Sequence, residues 1–290
     1  MFETFVIESS ILGVIGLGAG LVLLAGEIDF SLATVAYLCS GIMGVLSVHL
    51  HVPAAAAIGL AVLVGAGLGA LNGVLVAAVH LPSAYATLMG ALVNFMCLGL
   101  LEQAMQPETS IKLLDPQVLR LGAAWPSALI FLTLTFALWL ALRYAAFGRG
   151  VYAVGRDTHT AEQSGARVVA IRVTVFVMAS VLAALAGILL VAWYNAALAF
   201  VDESLLLFAV AAPIIGGISL FGGRGSIWGV LIGAPLCAAI RIGAGLASSG
   251  PNGSITTNYT VVASIGLIVA VTIAIGRDVR RRRNERWEKR

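Results

Sequence analysis

Nine apolar runs, each cut off by charges or turn residues, follow one another along the chain. They are Phe5 to Ala25, Leu32 to Ser47, Ala54 to Val79, Ala84 to Leu101, Trp125 to Ala145, Ile171 to Tyr194, Leu205 to Phe221, Ile227 to Leu246 and Tyr259 to Ile275. An α-helix crosses bilayer hydrocarbon with ~20 residues, and backbone groups at that depth must bond within helices. The pattern predicts an all-α, polytopic membrane helix bundle of about nine spans. The runs at 32–47 and 205–221 are short, which predicts re-entrant or broken helices there. Glycines recur inside the runs, notably Gly13, Gly16, Gly18 and Gly20, then Gly65, Gly67 and Gly69, then Gly216, Gly217, Gly222, Gly223 and Gly225. Small residues let membrane helices approach closely, so the bundle is expected to be tight. No stretch between runs is long enough for a second folded unit, and residues 1–290 read as a single transmembrane domain.

Composition agrees with the pattern. Of 290 residues, 60% are hydrophobic and 11% charged, whereas soluble domains carry roughly 25% charged residues. So few charges cannot coat a water-facing surface of this size. Cys39, Cys97 and Cys237 all fall in apolar runs with no metal or redox spacing. They read as small buried hydrophobes, and no metal or cofactor is expected. The first residues lack the basic start of a cleavable leader.

Charge placement adds a direction. The net charge is +3, but the basic residues are concentrated in two places. One is the tail 277–290, with Arg277, Arg280 to Arg283, Arg286, Lys289 and Arg290. The other is the segment Arg143 to Arg172, which also holds Arg149, Arg156 and Arg167. Alone, the tail would suit nucleic acid or an anionic surface; at the end of a membrane chain it reads as a cytoplasmic anchor under the positive-inside rule. Both markers then face the cytoplasm with four runs between them, and counting back puts the N-terminus outside. The loop from Glu102 to Ala124 also falls outside. It balances Lys112 and Arg120 against Glu102, Glu108 and Asp115.

Few residues are suited to chemistry. A phosphate-binding P-loop needs a lysine after its glycines. The only lysines, Lys112 and Lys289, follow no such loop, so the chain is not expected to be an enzyme or to hydrolyse ATP itself. Ionisable groups inside spans mark ion or solute routes. The candidates for a translocation pathway or gate are Glu27, Asp29 and Ser31 at a break between runs, Asn72 and Asn94 within runs, and Arg241. Asp29 or Ser31 would equally well cap the helix that follows. Arg241 either snorkels to the outer interface or faces a polar cavity. His49, His51 and His80 sit at membrane edges. No recurring carboxylate pair suggests a proton relay.

The cytoplasmic segment Phe147-Gly148-Arg149-Gly150-Val151-Tyr152-Ala153-Val154-Gly155-Arg156-Asp157 runs on through Thr158 to Ala166. Asp157 or Thr158 can start a short helix and Gly165 can end it. This segment resembles the coupling region of permease subunits of bacterial ABC importers of the ribose/xylose monosaccharide type. The matching positions are Gly148, Arg149, Tyr152, Ala153, Gly155, Ala161, Ser164 and Gly165. Further blocks are similar in the same order. They are Leu21 to Ser31, ending in the Ile-Asp-Phe-Ser run; Leu71-Asn72-Gly73; Leu81-Pro82-Ser83 with Thr87, Leu88 and Gly90; and Ile215 to Ser226 with Trp228 and Gly229. Two features depart from the pattern. Glu27 stands where the family has Gly, and the chain starts near the family's second span, as though the usual first helix were lacking.

The resemblance implies a mechanism and partners. Two permease subunits, identical or homologous, would enclose a pathway. Two ATP-binding cassette subunits would grip the coupling segment, about 146–168, through Gly148, Arg149, Tyr152, Gly155, Arg156, Ala161, Ser164 and Gly165. A periplasmic or lipid-anchored solute-binding protein would deliver the solute, and membrane lipid surrounds the whole. The expected home is the bacterial cytoplasmic (inner) membrane, with no nucleic-acid partner. The function implied is import of a monosaccharide or a similar small polar solute, with nucleosides and branched-chain amino acids as alternatives within the class. Outside it stand a stand-alone secondary transporter or channel and a non-transporting scaffold subunit.

Overall fold

A computed structural model describes residues 1–104, 110–112, 115–198 and 202–248, with positions 271, 275–277 and 279. The helices are α1 (Phe2–Leu24), α2 (Leu32–Gly44, continued by a wider π turn Val45–His49), α3 (Ala54–Ala77), α4 (Ser83–Ala104), α5 (Pro116–Leu121), α6 (Ala124–Tyr144), α7 (Ala146–Arg156), α8 (Thr158–Gln163), α9 (Val168–Tyr194), α10 (Glu203–Ile215) and α11 (Val230–Ser248). Among the described residues, six helices are long and apolar enough to cross a membrane: α1, α2 with its π turn, α3, α4, α6 and α9. α10 is short, as its run predicts, and α11 begins after a 3₁₀ turn, Ile227–Gly229. The last apolar run, 259–275, lies outside the described residues apart from two positions. Not all is helix: β1 (Ser110–Lys112) pairs antiparallel with β2 (Ala196–Leu198).

α1 is the central post. Its apolar window is 94% buried, against 22% for α3 and for α4, because α6, α9, α10 and α11 all pack around it. Its two buried serines stay satisfied within the helix: Ser9 donates to the Phe5 carbonyl at 2.6 Å and Ser10 to that of Val6 at 2.7 Å. In lipid this self-satisfaction is what keeps a polar side chain in a span tolerable. α3, α4 and α6 form the rim and present apolar faces outward, including Leu63, Leu92, Met96 and Leu129. Cys39 and Cys237 are buried as expected, but Cys97 is exposed on α4. A rim helix in lipid has no need to hide a thiol.

Close approach follows the helical period of the small residues. On α3, Gly65, Gly69 and Gly73 meet α9. A Cβ at Gly69 would lie 2.5 Å from the Phe176 carbonyl oxygen, whereas Gly67 meets nothing within 4 Å. The stripe has a spacing of four, so Gly67, halfway between, falls on the opposite side.

Candidate functional site

The segment from Phe147 to Ala166 that the sequence singles out for coupling folds as two helices. α7 is helical although Gly148, Gly150 and Gly155 each disfavour a helix. Packing explains the outcome. Gly148 lies directly on the Leu142 backbone, Gly150 touches Ile171, and Gly155 lies on the Leu24 carbonyl. Val151 and Val154 are buried while Arg149, Ala153 and Arg156 are exposed, so one face packs and the other is free.

α8 forms where the sequence predicts it. Asp157 caps it, its carboxylate accepting from the backbone N–H groups of His159 at 3.0 Å and Thr160 at 3.2 Å. The Thr160 hydroxyl adds a bond at 2.8 Å. These bonds, the Thr160 side chain's first, hold the Asp157 carboxyl below its usual range. Ala161 is buried against Val154 and Val168. Ser164 donates its hydroxyl to the Thr160 carbonyl at 2.9 Å. Gly165 then ends the helix at φ +82°, with open space around it. Left-handed backbone of this kind is where glycine carries no Cβ penalty.

Behind this surface three distant segments meet backbone to backbone. They are the end of α1, the end of α7 and the turn between α10 and α11. A Cβ at Gly222 would lie 2.6 Å from both the Gly26 Cα and the Gly155 carbonyl oxygen. The Gly223 amide donates to the Leu24 carbonyl at 2.9 Å, and the Tyr152 hydroxyl donates to the Gly225 carbonyl at 3.1 Å. Burial of the Tyr152 ring raises its phenol's pKa. Glycine is needed here for approach as much as for conformation. The blocks Leu21 to Ser31, Phe147 to Asp157 and Ile215 to Ser226 are therefore one structural unit.

The break between α1 and α2 carries the other candidates. Glu27 pairs with Arg172 at the start of α9, Nε to carboxylate oxygen at 2.9 Å. This is a charge contact without the alignment of a hydrogen bond. Arg172 also donates to the Thr158 hydroxyl at 3.1 Å, so one guanidinium ties the α1–α2 linker to α8. Asp29, Ser31, Asn72 and Asn94 are all buried. The Asp29 carboxylate accepts from the Ser31 amide at 2.8 Å and hydroxyl at 2.6 Å. Ser31 thus begins α2 without itself donating a cap. Asn72 of α3 donates to the Ser31 hydroxyl at 2.9 Å, and Asn94 of α4 to the Thr34 hydroxyl at 3.2 Å. Ser83 and Thr87 receive the Ile28 and Phe30 amides at 3.2 and 3.1 Å. A broken stretch of backbone is in this way satisfied by side chains from α4. The second Asp29 oxygen has no hydrogen-bond partner among the described residues.

Arg241 stands apart from that network. It pairs with Asp202, which caps α10, and lies 3.8 Å from Glu8 of α1. Its guanidinium is largely enclosed between these two carboxylates. Sequence reasoning missed Glu8 and Asp202 as its partners. Their apolar surroundings were the available signal, since a charge inside a bundle is rarely left unpaired.

Comparison with known proteins supplies the context. A family profile described as "Branched-chain amino acid transport system / permease component" matches residues 1–272. The chain is 32% identical to the fructose import permease protein FrcC of Rhizobium meliloti, over 94% of this chain and 77% of that protein. It is 35% identical to the autoinducer 2 import system permease protein LsrC of Shigella flexneri, over 78% of this chain and 66% of that one. The LsrC of Photorhabdus luminescens is 33% identical over 81% and 71%. No solved structure matches the chain. These relatives are transport components rather than enzymes.

Proposed function

Because this chain belongs to the family of branched-chain amino acid transport system / permease components, we propose that it is the membrane-spanning permease subunit of an ATP-driven importer for a monosaccharide or similar small polar solute. The fructose and autoinducer-2 import permeases it resembles favour a sugar-like solute. The family's description keeps branched-chain amino acids as the second reading. Uptake of labelled fructose or ribose against labelled leucine separates the two.

The observation that carries the proposal is the glycine junction. It fixes α7 and α8, an exposed capped hairpin, to the ends of α1 and of the α10–α11 turn without intervening side chains. A motor pulling on such a hairpin moves transmembrane helices directly. Hydrolysis of ATP falls to separate cassette subunits, which dock on the surface carrying Arg149, Tyr152, Arg156, Ser164 and Gly165, with Gly148, Gly155 and Ala161 packed beneath it to hold its shape. A second permease subunit completes the pathway, and a solute-binding protein loads it from outside. Glu27, Asp29, Ser31, Asn72, Asn94 and Arg241 are assigned to the pathway or its gate. Their packing between α1, α2, α3 and α4, or at the α10–α11 pair, would have to open for a solute to pass. The coupling surface faces the cytoplasm and the membrane is the bacterial inner one, on the strength of the basic segments.

The test is co-expression with the ATPase and binding protein encoded beside it, followed by reconstitution. Arg149→Glu and Gly165→Trp are expected to leave ATP hydrolysis running while uptake falls by about tenfold or more, on the order of 1.4 kcal/mol of lost coupling. Normal uptake by both variants would sink the coupling assignment.

A further inference from the structure

A cavity of about 550 Å³ opens between the end of α6, the outer face of α7 and the turn at 225–227. Its walls include Arg143, Arg149 and Arg156 together with Trp139, Tyr152 and Ser226. Among the described residues no carboxylate lines it. The three arginines are exposed and make no ion pair or hydrogen bond with another described residue. Three guanidinium groups sharing one cavity repel one another and present a fork of donors matched to phosphate oxygens.

We propose that this cavity binds the headgroup of an anionic phospholipid. Two further observations favour a lipid over other anions. The first is an aromatic collar around Trp139, which itself lines the cavity. The Trp139 ring lies 5.7 Å from Phe136, 5.9 Å from Tyr144 and 5.6 Å from Trp228, centroid to centroid. Trp and Tyr favour the headgroup level of a bilayer. The second is a pair of apolar tracks leading away from the collar. α6 exposes Phe136, Leu132 and Leu129, and the 3₁₀ turn with the start of α11 exposes Trp228, Ile232 and Leu236, in each case at helical spacing. From Arg143 back to Leu129 is on the order of 20 Å of helix, enough to accompany an acyl chain through one leaflet. A free phosphate has no use for those tracks, and an acidic segment of a docked protein cannot reach them. The site sits at the level of the coupling helices. Its placement in the cytoplasmic leaflet, where anionic lipids are abundant, rests on the proposed orientation; binding itself does not depend on any transport activity.

The experiment uses the full chain in nanodiscs of phosphatidylcholine, with or without phosphatidylglycerol of the same acyl chains. Phenylglyoxal labelling of Arg143, Arg149 and Arg156 is followed by peptide mass spectrometry. Phosphatidylglycerol is expected to slow labelling by about tenfold, the equivalent of one charge-assisted hydrogen bond. Labelling of Arg120 is expected to be unaffected. Native mass spectrometry then counts retained phosphatidylglycerol. The pair Arg143→Gln and Arg149→Gln is expected to lose it, while the pair Arg280→Gln and Arg282→Gln, which removes the same charge from the tail, is expected to keep it. The labelling arm needs no variant and so holds even if the pocket pair folds poorly. Equal labelling in both lipids overturns the proposal. So does equal protection by inorganic phosphate in phosphatidylcholine discs, which would make the site one for a soluble anion. Arg149, Tyr152 and Arg156 also belong to the segment proposed for ATPase docking, so protection that appears only with an ATPase subunit bound, and not with phosphatidylglycerol alone, would make the cavity part of that docking surface and overturns the lipid assignment.

Discussion

At the scale of single residues, the most constrained group is the buried polar chain at the α1–α2 break. Asn72 ties α3 to Ser31 and also packs under Gly90 of α4, where a Cβ would lie 2.6 Å from its amide oxygen. Asn72→Leu keeps the volume similar but leaves the Ser31–Asp29 pair without its third member. The expected loss is about 1–2 kcal/mol, read as a lower unfolding midpoint in detergent. Arg241 gives a sharper case. Arg241→Leu would leave the Glu8 and Asp202 carboxylates facing each other in the bundle, and breaking a buried pair from one side costs about 3–5 kcal/mol. Adding Asp202→Asn and Glu8→Gln to the Leu variant is expected to recover most of that loss. A triple variant no more stable than the single one would disprove the pairing. The sequence singled out Asp29, Ser31, Asn72 and Arg241 because polar groups are conspicuous in apolar runs. It did not reveal their partners, since the mates of Arg241 come from α1 and from the cap of α10, far along the chain in both cases.

At the scale of elements, apolar runs translated well into helices, while glycine roles did not. The runs ending near Ala25, Val79, Leu101, Ala145 and Tyr194 became α1, α3, α4, α6 and α9 with ends shifted by a few residues. α7 was not legible, because three glycines in a row of eleven residues argue against a helix unless neighbours reward the close approach. α8 was, because Asp157 and Gly165 are local signals that need no neighbour. The α3–α9 crossing yields a paired prediction. Gly69→Ala pushes a methyl into the Phe176 carbonyl and Ser180, an overpacking cost of about 1–3 kcal/mol. Gly67→Ala meets nothing within 4 Å and is expected to be neutral or slightly stabilising, because alanine is the better helix former. Thermal unfolding of the two variants side by side checks the register of the crossing.

For the whole molecule, the prediction is one of direction. In a background without the native cysteines, Gln163→Cys on α8 is expected to react with a membrane-impermeant maleimide only from the cytoplasmic side, and Gln117→Cys on α5 only from outside. Labelling of both from one side would overturn the proposed orientation. The same fold explains why three motif blocks scattered over the chain matter together. Gly26, Gly155 and Gly222 converge on one point, so the proposed coupling hairpin is in direct backbone contact with α1 and with the α10–α11 turn.

What the sequence determined by itself was the solvent, the helical runs and the capped second helix of the α7–α8 hairpin, and it supplied the basis for the proposed direction of insertion. All of these follow from local quantities: hydropathy over ~20 residues, the excess of arginine on alternate loops, and caps read within one turn. Tertiary structure alone decided which glycines are contact points, that α7 is helical, and that Arg241 is neutralised inside the bundle by Glu8 and Asp202. It also gathered Arg143, Arg149 and Arg156 around one cavity. Each of these depends on backbones brought together from distant parts of the chain. A glycine reads the same in sequence whether it faces another helix, as Gly69 does, or open space, as Gly67 does.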